Sequence, residues 1–304
     1  MNILITGGAG FVGSHLVEYF QNRAEVVVLD NFRSGFRQNL NGLAYRLVEG
    51  SVTDPAAVRE AMQGVDYVFH LAAMISVPES MTSPKECVEI NTQGTLNVLD
   101  AAARANVKKL CFSSSAAVYG DNPSLPKTEQ MRPEPKSPYA VTKLDGEYYC
   151  RMFTDQGWLD TACMRYFNVF GPRQDPKSQY AAAVPIFVER AIRSEPITIF
   201  GDGLQTRDFI YVKDIVAANI FLAERAELSG VYNVANGQTI TIKDLAETIV
   251  ALTNSKSKIQ FAPERAGDIK HSRAAIEKIQ SAGFVPKNTF NDGLNAAIHY
   301  FSSL

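Results

Sequence analysis

Four short apolar runs, Ile3-Leu4-Ile5, Glu25–Leu29, Tyr67–His70 and Lys109–Ser113, are each followed by a stretch with helical spacing. This alternation constrains the fold more than any other feature. Strands that are apolar on both faces and joined by helical crossovers pair in parallel, with helices covering both faces. The chain therefore reads as α/β, a Rossmann-type doubly wound parallel sheet. Thr161–Tyr166 supplies a further central strand. After about Phe167 the pattern loosens. Gly171-Pro172-Arg173 and Asp175-Pro176 mark a loop, and Pro185–Ser194 reads as a short helix. Phe209-Ile210-Tyr211 is strand-like and precedes a helix beginning near Asp214, and Val231–Val234 is a strand. Thr241–Leu252 is helical, with Thr241 as N-cap. The 304 residues suffice for one or two domains and a large core. We expect residues 1–166 to form the sheet domain, 207–235 to return to it, and 167–304 to be mainly a smaller, interleaved C-terminal domain.

Composition removes several classes of function. The net charge of −2 gives no electrostatic reason to expect nucleic acid or an acidic membrane as partner. No run approaches the roughly 20 apolar residues needed to cross a bilayer. The chain starts directly in an apolar run, without a basic segment before it, so a cytoplasmic location is expected. Cys87, Cys111, Cys150 and Cys163 are scattered and form no C-x-x-C pair, which favours reduced core thiols over a metal site or disulfides.

Between the first apolar run and its helix lies Thr6-Gly7-Gly8-Ala9-Gly10-Phe11-Val12-Gly13. Glycines at 7, 10 and 13 permit a tight turn, close approach of backbone to a pyrophosphate, and close packing of helix on strand. The helix N-terminus then offers unpaired N–H groups to the phosphates. Asp30 ends the second strand, 23 residues beyond Gly7. An acid there accepts from an adenosine ribose and repels a 2′-phosphate, which favours NAD over NADP. Arg33 stands close by and could contact a phosphate, which would oppose that preference.

Tyr139-Ala140-Val141-Thr142-Lys143 places a phenol and an ammonium four residues apart on one helix face. A phenol with a pKa of about 10 is a poor base at neutral pH. The Lys143 ammonium and a positively charged nicotinamide would both favour the phenolate. Lys143 can also reach the nicotinamide ribose. Ser113-Ser114-Ser115 emerges at the carboxyl end of a strand, where such sheets bind ligands. Ser115 is the hydroxyl expected to pass a proton between substrate and Tyr139.

With these motifs in this order, the sequence resembles the extended short-chain dehydrogenase/reductase family, specifically its nucleotide-sugar epimerases and dehydratases. The resemblance runs through Thr6–Gly13, Asp30-Asn31, His70-Leu71-Ala72-Ala73, Asn91 with Gly94-Thr95, Ser113–Gly120, Tyr139–Lys143, Arg165–Asn168 and Arg207-Asp208-Phe209. It implies tightly held NAD. Around the pyrophosphate and adenosine it points to Gly7, Gly10, Phe11, Val12, Gly13, Asp30 and Asn31, with Ser51 and Val52 beyond them. Around the nicotinamide it points to Leu71, Ala72, Ala73, Asn91, Ser113, Tyr139, Lys143 and Tyr166. Gly50-Ser51 departs from a Gly-Asp pattern in which the Asp meets the adenine amine, so that contact is weaker or comes from another group. The resemblance also implies a homodimer built from helices near residues 86–105 and 138–155.

All such enzymes begin by removing hydride from C4 of the sugar while the tyrosine takes the hydroxyl proton. Dehydratases then need a carboxyl group in the stretch that reads Ser115-Ala116-Ala117-Val118-Tyr119-Gly120 here. Two alanines cannot transfer a proton, so the expected reaction is NAD-dependent C4 epimerisation of a UDP-sugar. For the substrate, Arg207 and Arg265 look like the pair that clamps the diphosphate, since guanidinium forks match phosphate oxygens. Asn168 resembles the family's amide contact, Asp268 would accept from a ribose hydroxyl or hold Arg265, and Phe200 would stack on the uracil. Ser272 stands where epimerases restricted to unacetylated sugars commonly carry Tyr. Ser272, Ser76-Val77-Pro78 and Phe167–Pro176 together look like enzymes that take UDP-N-acetylglucosamine (UDP-GlcNAc). The alternatives are a nucleotide-sugar dehydratase or decarboxylase, a net oxidoreductase, and a non-catalytic NAD-binding regulatory protein.

Overall fold

The computed structural model describes residues 1–176, 182–264 and 270–304. A seven-stranded parallel sheet dominates it. Its strands are β1 (Asn2–Thr6), β2 (Glu25–Asp30), β3 (Arg46–Glu49), β4 (Tyr67–His70), β5 (Lys109–Ser115), β6 (Thr161–Tyr166) and β7 (Gly230–Val234), in the spatial order β7-β6-β5-β4-β1-β2-β3. The Rossmann-type α/β expectation therefore holds. β3 is the one strand of this sheet that the apolar pattern did not announce. Arg46-Leu47-Val48-Glu49 has only two apolar residues and sits at the sheet's edge.

Alternation along β1 shows how both faces are covered. Ile3 and Ile5 belong to one core with Leu16, Val17 and Phe20 of the Phe11–Phe20 helix and Ile215, Val216 and Leu222 of the Val212–Ala223 helix. Leu4 points the other way, into a core with Val58, Val98, Leu99, Cys150 and Phe153. Residues 274–284 also pack on the first core, through Ala274, Ile276, Ile279 and Phe284. A third core, around Phe170, Phe187, Ile199, Phe209, Leu245 and Phe301, gathers the helices Ala183–Ile192, Ile242–Leu252 and Phe290–Ser302. Three short strand pairs serve this part: Asn168–Phe170 with Phe209–Tyr211, Thr206–Arg207 with Ile240–Thr241, and Ile197–Phe200 with Ile259–Ala262. Thr241 caps its helix as the sequence suggests, its hydroxyl accepting from the Asp244 N–H at 2.9 Å.

One buried network fixes the Pro138–Asp155 helix against the sheet. Arg165 on β6 donates to both oxygens of Glu147, at 2.8 and 2.7 Å, and the Ser114 hydroxyl on β5 donates to the same carboxylate at 2.5 Å. Glu147 lies one turn beyond Lys143, so the pair sets where Tyr139 and Lys143 stand over the end of β5. All four cysteines are buried and free.

Candidate active site

The carboxyl ends of β1, β2, β4 and β5 border a cleft of about 1080 Å³. It lies where the strand order reverses, the place at which open parallel sheets bind ligands. One wall is the glycine turn. Gly7 adopts φ +70°, and a β-carbon there would come within 2.8 Å of the Ala72 nitrogen. A β-carbon on Gly13 would strike the Gly7 carbonyl oxygen. Gly10 caps the Phe11–Phe20 helix with no side chain over its first N–H groups. Only backbone fits this cradle, and the helix N-terminus opens into the cleft.

Asp30 closes β2 beside it. Its Oδ2 accepts from the Ala9 N–H at 2.9 Å and its Oδ1 from the Phe32 N–H at 2.8 Å. Burial pushes this carboxyl's pKa up, and the two backbone bonds oppose that. Each carboxylate oxygen retains accepting capacity, which suits a ribose diol. The cradle and the acid together fit a dinucleotide held by its pyrophosphate and adenosine ribose. Asn31, Ser51, Val52, Leu71, Ala72 and Ala73 line the same cleft. Sequence reading missed the loop facing the turn, in which Asn39 donates to the Ala9 carbonyl at 2.9 Å and the Phe36 N–H does so at 3.0 Å. It also missed Glu79, for which Ser76-Val77-Pro78-Glu79 carried a signal. Serine followed three residues later by Glu opens a helix, and the Ser76 hydroxyl accepts from the Glu79 N–H at 3.2 Å. Arg33 is the other adjustment. Its terminal NH2 donates to Glu79 and Glu86, each at 2.9 Å.

Ser113, Ser115, Tyr139 and Tyr166 line the cleft as well. Ser137 caps the helix that presents Tyr139, accepting from the Ala140 N–H, and the Tyr139 N–H donates to the Ser80 hydroxyl, both at 3.2 Å. Tyr139 and Ser115 thus face the same cleft, and the Ser115 hydroxyl acts to favour the Tyr139 phenolate. Lys143 does not line the cleft. It is buried, its Nζ donates to the Ser113 carbonyl at 2.7 Å, and burial pushes its pKa down to about 8. Here the expected electrostatics need correcting. The protein alone raises the Tyr139 phenol, because burial outweighs the opposing influence of the Ser115 hydroxyl. One ammonium N–H goes to a carbonyl, and the group lies 5.8 Å from the Tyr139 ring centre.

Asn91 also stands outside the cleft lining. Its Oδ1 accepts from the Met74 N–H at 2.7 Å, and its Nδ2 donates to the Met74 carbonyl and the Thr142 hydroxyl at 3.1 and 3.0 Å. It joins the turn after β4 to the helix that carries Tyr139. A second buried chain braces the same turn. The Thr6 hydroxyl accepts from the Leu71 and Ala72 N–H groups at 3.2 Å each, and it lies 2.7 Å from His70 Nδ1. His70 Nε2 meets the Thr95 hydroxyl at 3.0 Å, and that hydroxyl donates to the Asn91 carbonyl at 2.5 Å. With Thr6 accepting twice and Thr95 donating onward, His70 accepts at Nδ1 and donates from Nε2–H, the neutral tautomer. Burial agrees, pushing the His70 pKa down to about 3.

Of the residues read as substrate contacts, Ser76 lines the cleft. Arg207 and Ser272 come together, since the Thr206 carbonyl accepts from the Ser272 N–H at 3.1 Å and from Arg207 Nη1 at 3.0 Å. Asn168 pairs with Phe209 across parallel strands and donates from Nδ2 to the Asp208 carbonyl at 3.0 Å. Buried Asp208 ties this region together, accepting from the N–H groups of Asn236, Gly237 and Ala274. Phe200 is half-buried and pairs with Ala262. Arg265 and Asp268 lie outside the described residues.

Residues 3–235 match the model of the NAD dependent epimerase/dehydratase family. The UDP-N-acetylglucosamine 4-epimerase of Methanobrevibacter ruminantium M1, solved with UDP-N-acetylmuramic acid, is 41% identical. It superposes with a TM-score of 0.96 over 99% of this chain and 98% of that one. The UDP-glucose 4-epimerase of Thermus thermophilus, solved with NAD, is 35% identical, with a TM-score of 0.91 and 99% of each chain covered. The UDP-glucuronic acid decarboxylase 1 of Danio rerio is 35% identical over 99% of this chain and 72% of its own length. The chain belongs to the NAD dependent epimerase/dehydratase family and is an NAD-dependent enzyme.

Proposed function

We propose that this enzyme interconverts UDP-sugars at C4 through a transient 4-keto sugar. UDP-GlcNAc and UDP-N-acetylgalactosamine (UDP-GalNAc) are its main pair, and UDP-glucose and UDP-galactose are further substrates. Residues 1–166 with 207–235 are the NAD-binding part, and 167–304 are mainly the sugar-nucleotide part. Bound NAD supplies a hydride acceptor that returns the same hydride. The protein's share is proton handling and position. Ser115 receives the C4 hydroxyl proton and passes it to Tyr139, and the reverse transfer completes the cycle. Lys143 fixes Ser113 with one N–H and, from behind the cleft wall, keeps two further donors for the cofactor ribose. Arg207 and Arg265 hold the diphosphate, Asn168 adds an amide contact, Asp268 accepts from a ribose hydroxyl or holds Arg265, and Phe200 stacks on the uracil while the keto sugar turns over.

The observation that carries this reading is the turn following β5. Ser115 and Tyr139 line the same cleft, and the two residues after Ser115 are Ala116 and Ala117. Oxidation at C4 is provided for, while this turn offers no carboxyl to protonate a leaving hydroxyl. The small side chain of Ser272 beside Arg207 supports room for an acetamide, and likeness to the UDP-N-acetylglucosamine 4-epimerase points the same way.

The test is to incubate the protein separately with UDP-GlcNAc, UDP-glucose and UDP-glucuronic acid, without added reductant, and to resolve products by proton NMR. C4 epimers with no NADH released are expected, faster for UDP-GlcNAc. Loss of water, or of CO₂ from UDP-glucuronic acid, with no epimer formed would replace this reading by dehydration or decarboxylation. We also propose that two copies pair through the helices within residues 84–104 and 138–155.

A further inference from the structure

Arg33 follows Asp30 by three residues, at the point where Rossmann-type sheets that accept NADP place an arginine for the 2′-phosphate. It lines the cleft beside Asp30 and Asn31. A guanidinium there would offset the repulsion between Asp30 and a 2′-phosphate, yet the structure commits it elsewhere. The Arg33 NH2 nitrogen carries two N–H bonds, and both are used, one on Glu79 and one on Glu86, at 2.9 Å each. These carboxylates come from two separate helices, Val77–Thr82 and Pro84–Val88, across from the loop that follows β2. The trio carries one positive and two negative charges, so its net charge is −1 where a phosphate dianion would land. Asp30 adds another. The neighbouring cation is also matched, since Arg37 stacks on Phe32 at 4.0 Å and pairs with Glu49 at 2.6 Å.

We propose that Glu79 and Glu86 are specificity-determining residues for the cofactor: by holding Arg33 they convert a latent 2′-phosphate site into one that excludes NADP. Asp30 is the familiar discriminator, and this pair is a second one, built from elements far away in sequence. Exposed ion pairs contribute little to stability, but their effect here is on a ligand's charge. Neutralising both carboxylates changes the local charge by two units and releases two N–H donors for a phosphate. The inference is independent of which sugar is turned over.

The experiment loads the protein with NADH and follows displacement of its bound fluorescence by NADP and by NAD⁺. The reading is the ratio of the two displacing concentrations. In Glu79→Gln/Glu86→Gln that ratio should fall at least about tenfold, the scale of one charge-assisted hydrogen bond. Adding Arg33→Ala to the pair takes the trio from +1 to 0, one unit above the parent's −1, and should reverse most of that fall. If the double variant does not bind NADH, Glu86→Gln alone, at a residue that does not line the cleft, should give a smaller fall in the same direction. An unchanged ratio would leave Asp30 as the sole discriminator and overturn the proposal. A fall that persists undiminished without Arg33 would also overturn it, by assigning the effect to lost negative charge alone.

Discussion

Tyr139 is subject to opposing influences: burial raises its phenol, while the nearby Ser115 hydroxyl lowers it. Removing the hydroxyl removes the proton acceptor without emptying the cleft. Tyr139→Phe should therefore lower kcat by at least about 100-fold, the lower end of what a positioned acid–base group contributes. NAD content, measured spectrally after denaturation, should not change. Turnover near the starting rate would remove Tyr139 from the reaction. Ser272 tests substrate choice in the same way. A tyrosine there, beside Arg207, fills the space proposed for the acetamide. Ser272→Tyr should cut UDP-GlcNAc turnover at least about tenfold relative to UDP-glucose, the scale of a steric clash in a pocket. Equal loss on both sugars would show that the position does not read the acetyl group. Tyr139, Ser115 and Asp30 were legible in the sequence because their motifs are local, each a few residues on one element. Arg33 was visible too, but its state was not. What decides it is Glu79 and Glu86, 46 and 53 positions on, and no local pattern links them.

Among the elements, strands buried on both faces were readable from apolar runs alone, and β3 was not, because its outer half is exposed at the sheet edge. The joint between β1, β4 and the helix after Asn91 was likewise hidden. It depends on His70, which a sequence shows only as a polar residue ending an apolar run. Its environment has a measurable consequence. The folded pKa of about 3 lies below the ordinary 6.5, so between those values the unfolded chain binds more protons than the folded one. Stability from this group is thus full above pH 6.5 and lost as pH falls towards 3. From pH 7 to pH 4.5 the loss should reach about 3 kcal/mol, at about 1.36 kcal/mol per unit. Urea unfolding at the two pH values measures it. His70→Gln lowers stability at both but should flatten the slope by about that amount. A variant as pH-sensitive as the parent would place the acid-labile group elsewhere.

For the whole molecule, the question is what covers the outer face of the Pro138–Asp155 helix. Its inner face is committed to Arg165 and the sheet. Outward, Val141, Tyr148 and Met152 are exposed, at 42%, 59% and 41%. Their spacing, i, i+7 and i+11, sets them in one stripe along the helix. Val88 and Met81, exposed at 48% and 59%, extend the apolar character onto the neighbouring helices, which pack against this one. Exposed apolar residues gathered on three packed helices mark a surface that another molecule covers. A second copy is the simplest occupant, because a twofold axis lets the same stripe meet itself. The patch lies on the helix that presents Tyr139 and Lys143, so pairing would also stiffen the catalytic face. Light scattering should then give twice the chain mass for the parent and a single chain mass for Tyr148→Glu/Met152→Glu. The variant's thermal midpoint should become independent of protein concentration, whereas the parent's should rise with it. A parent that runs as a monomer at tens of micromolar would show that this face is left to another partner.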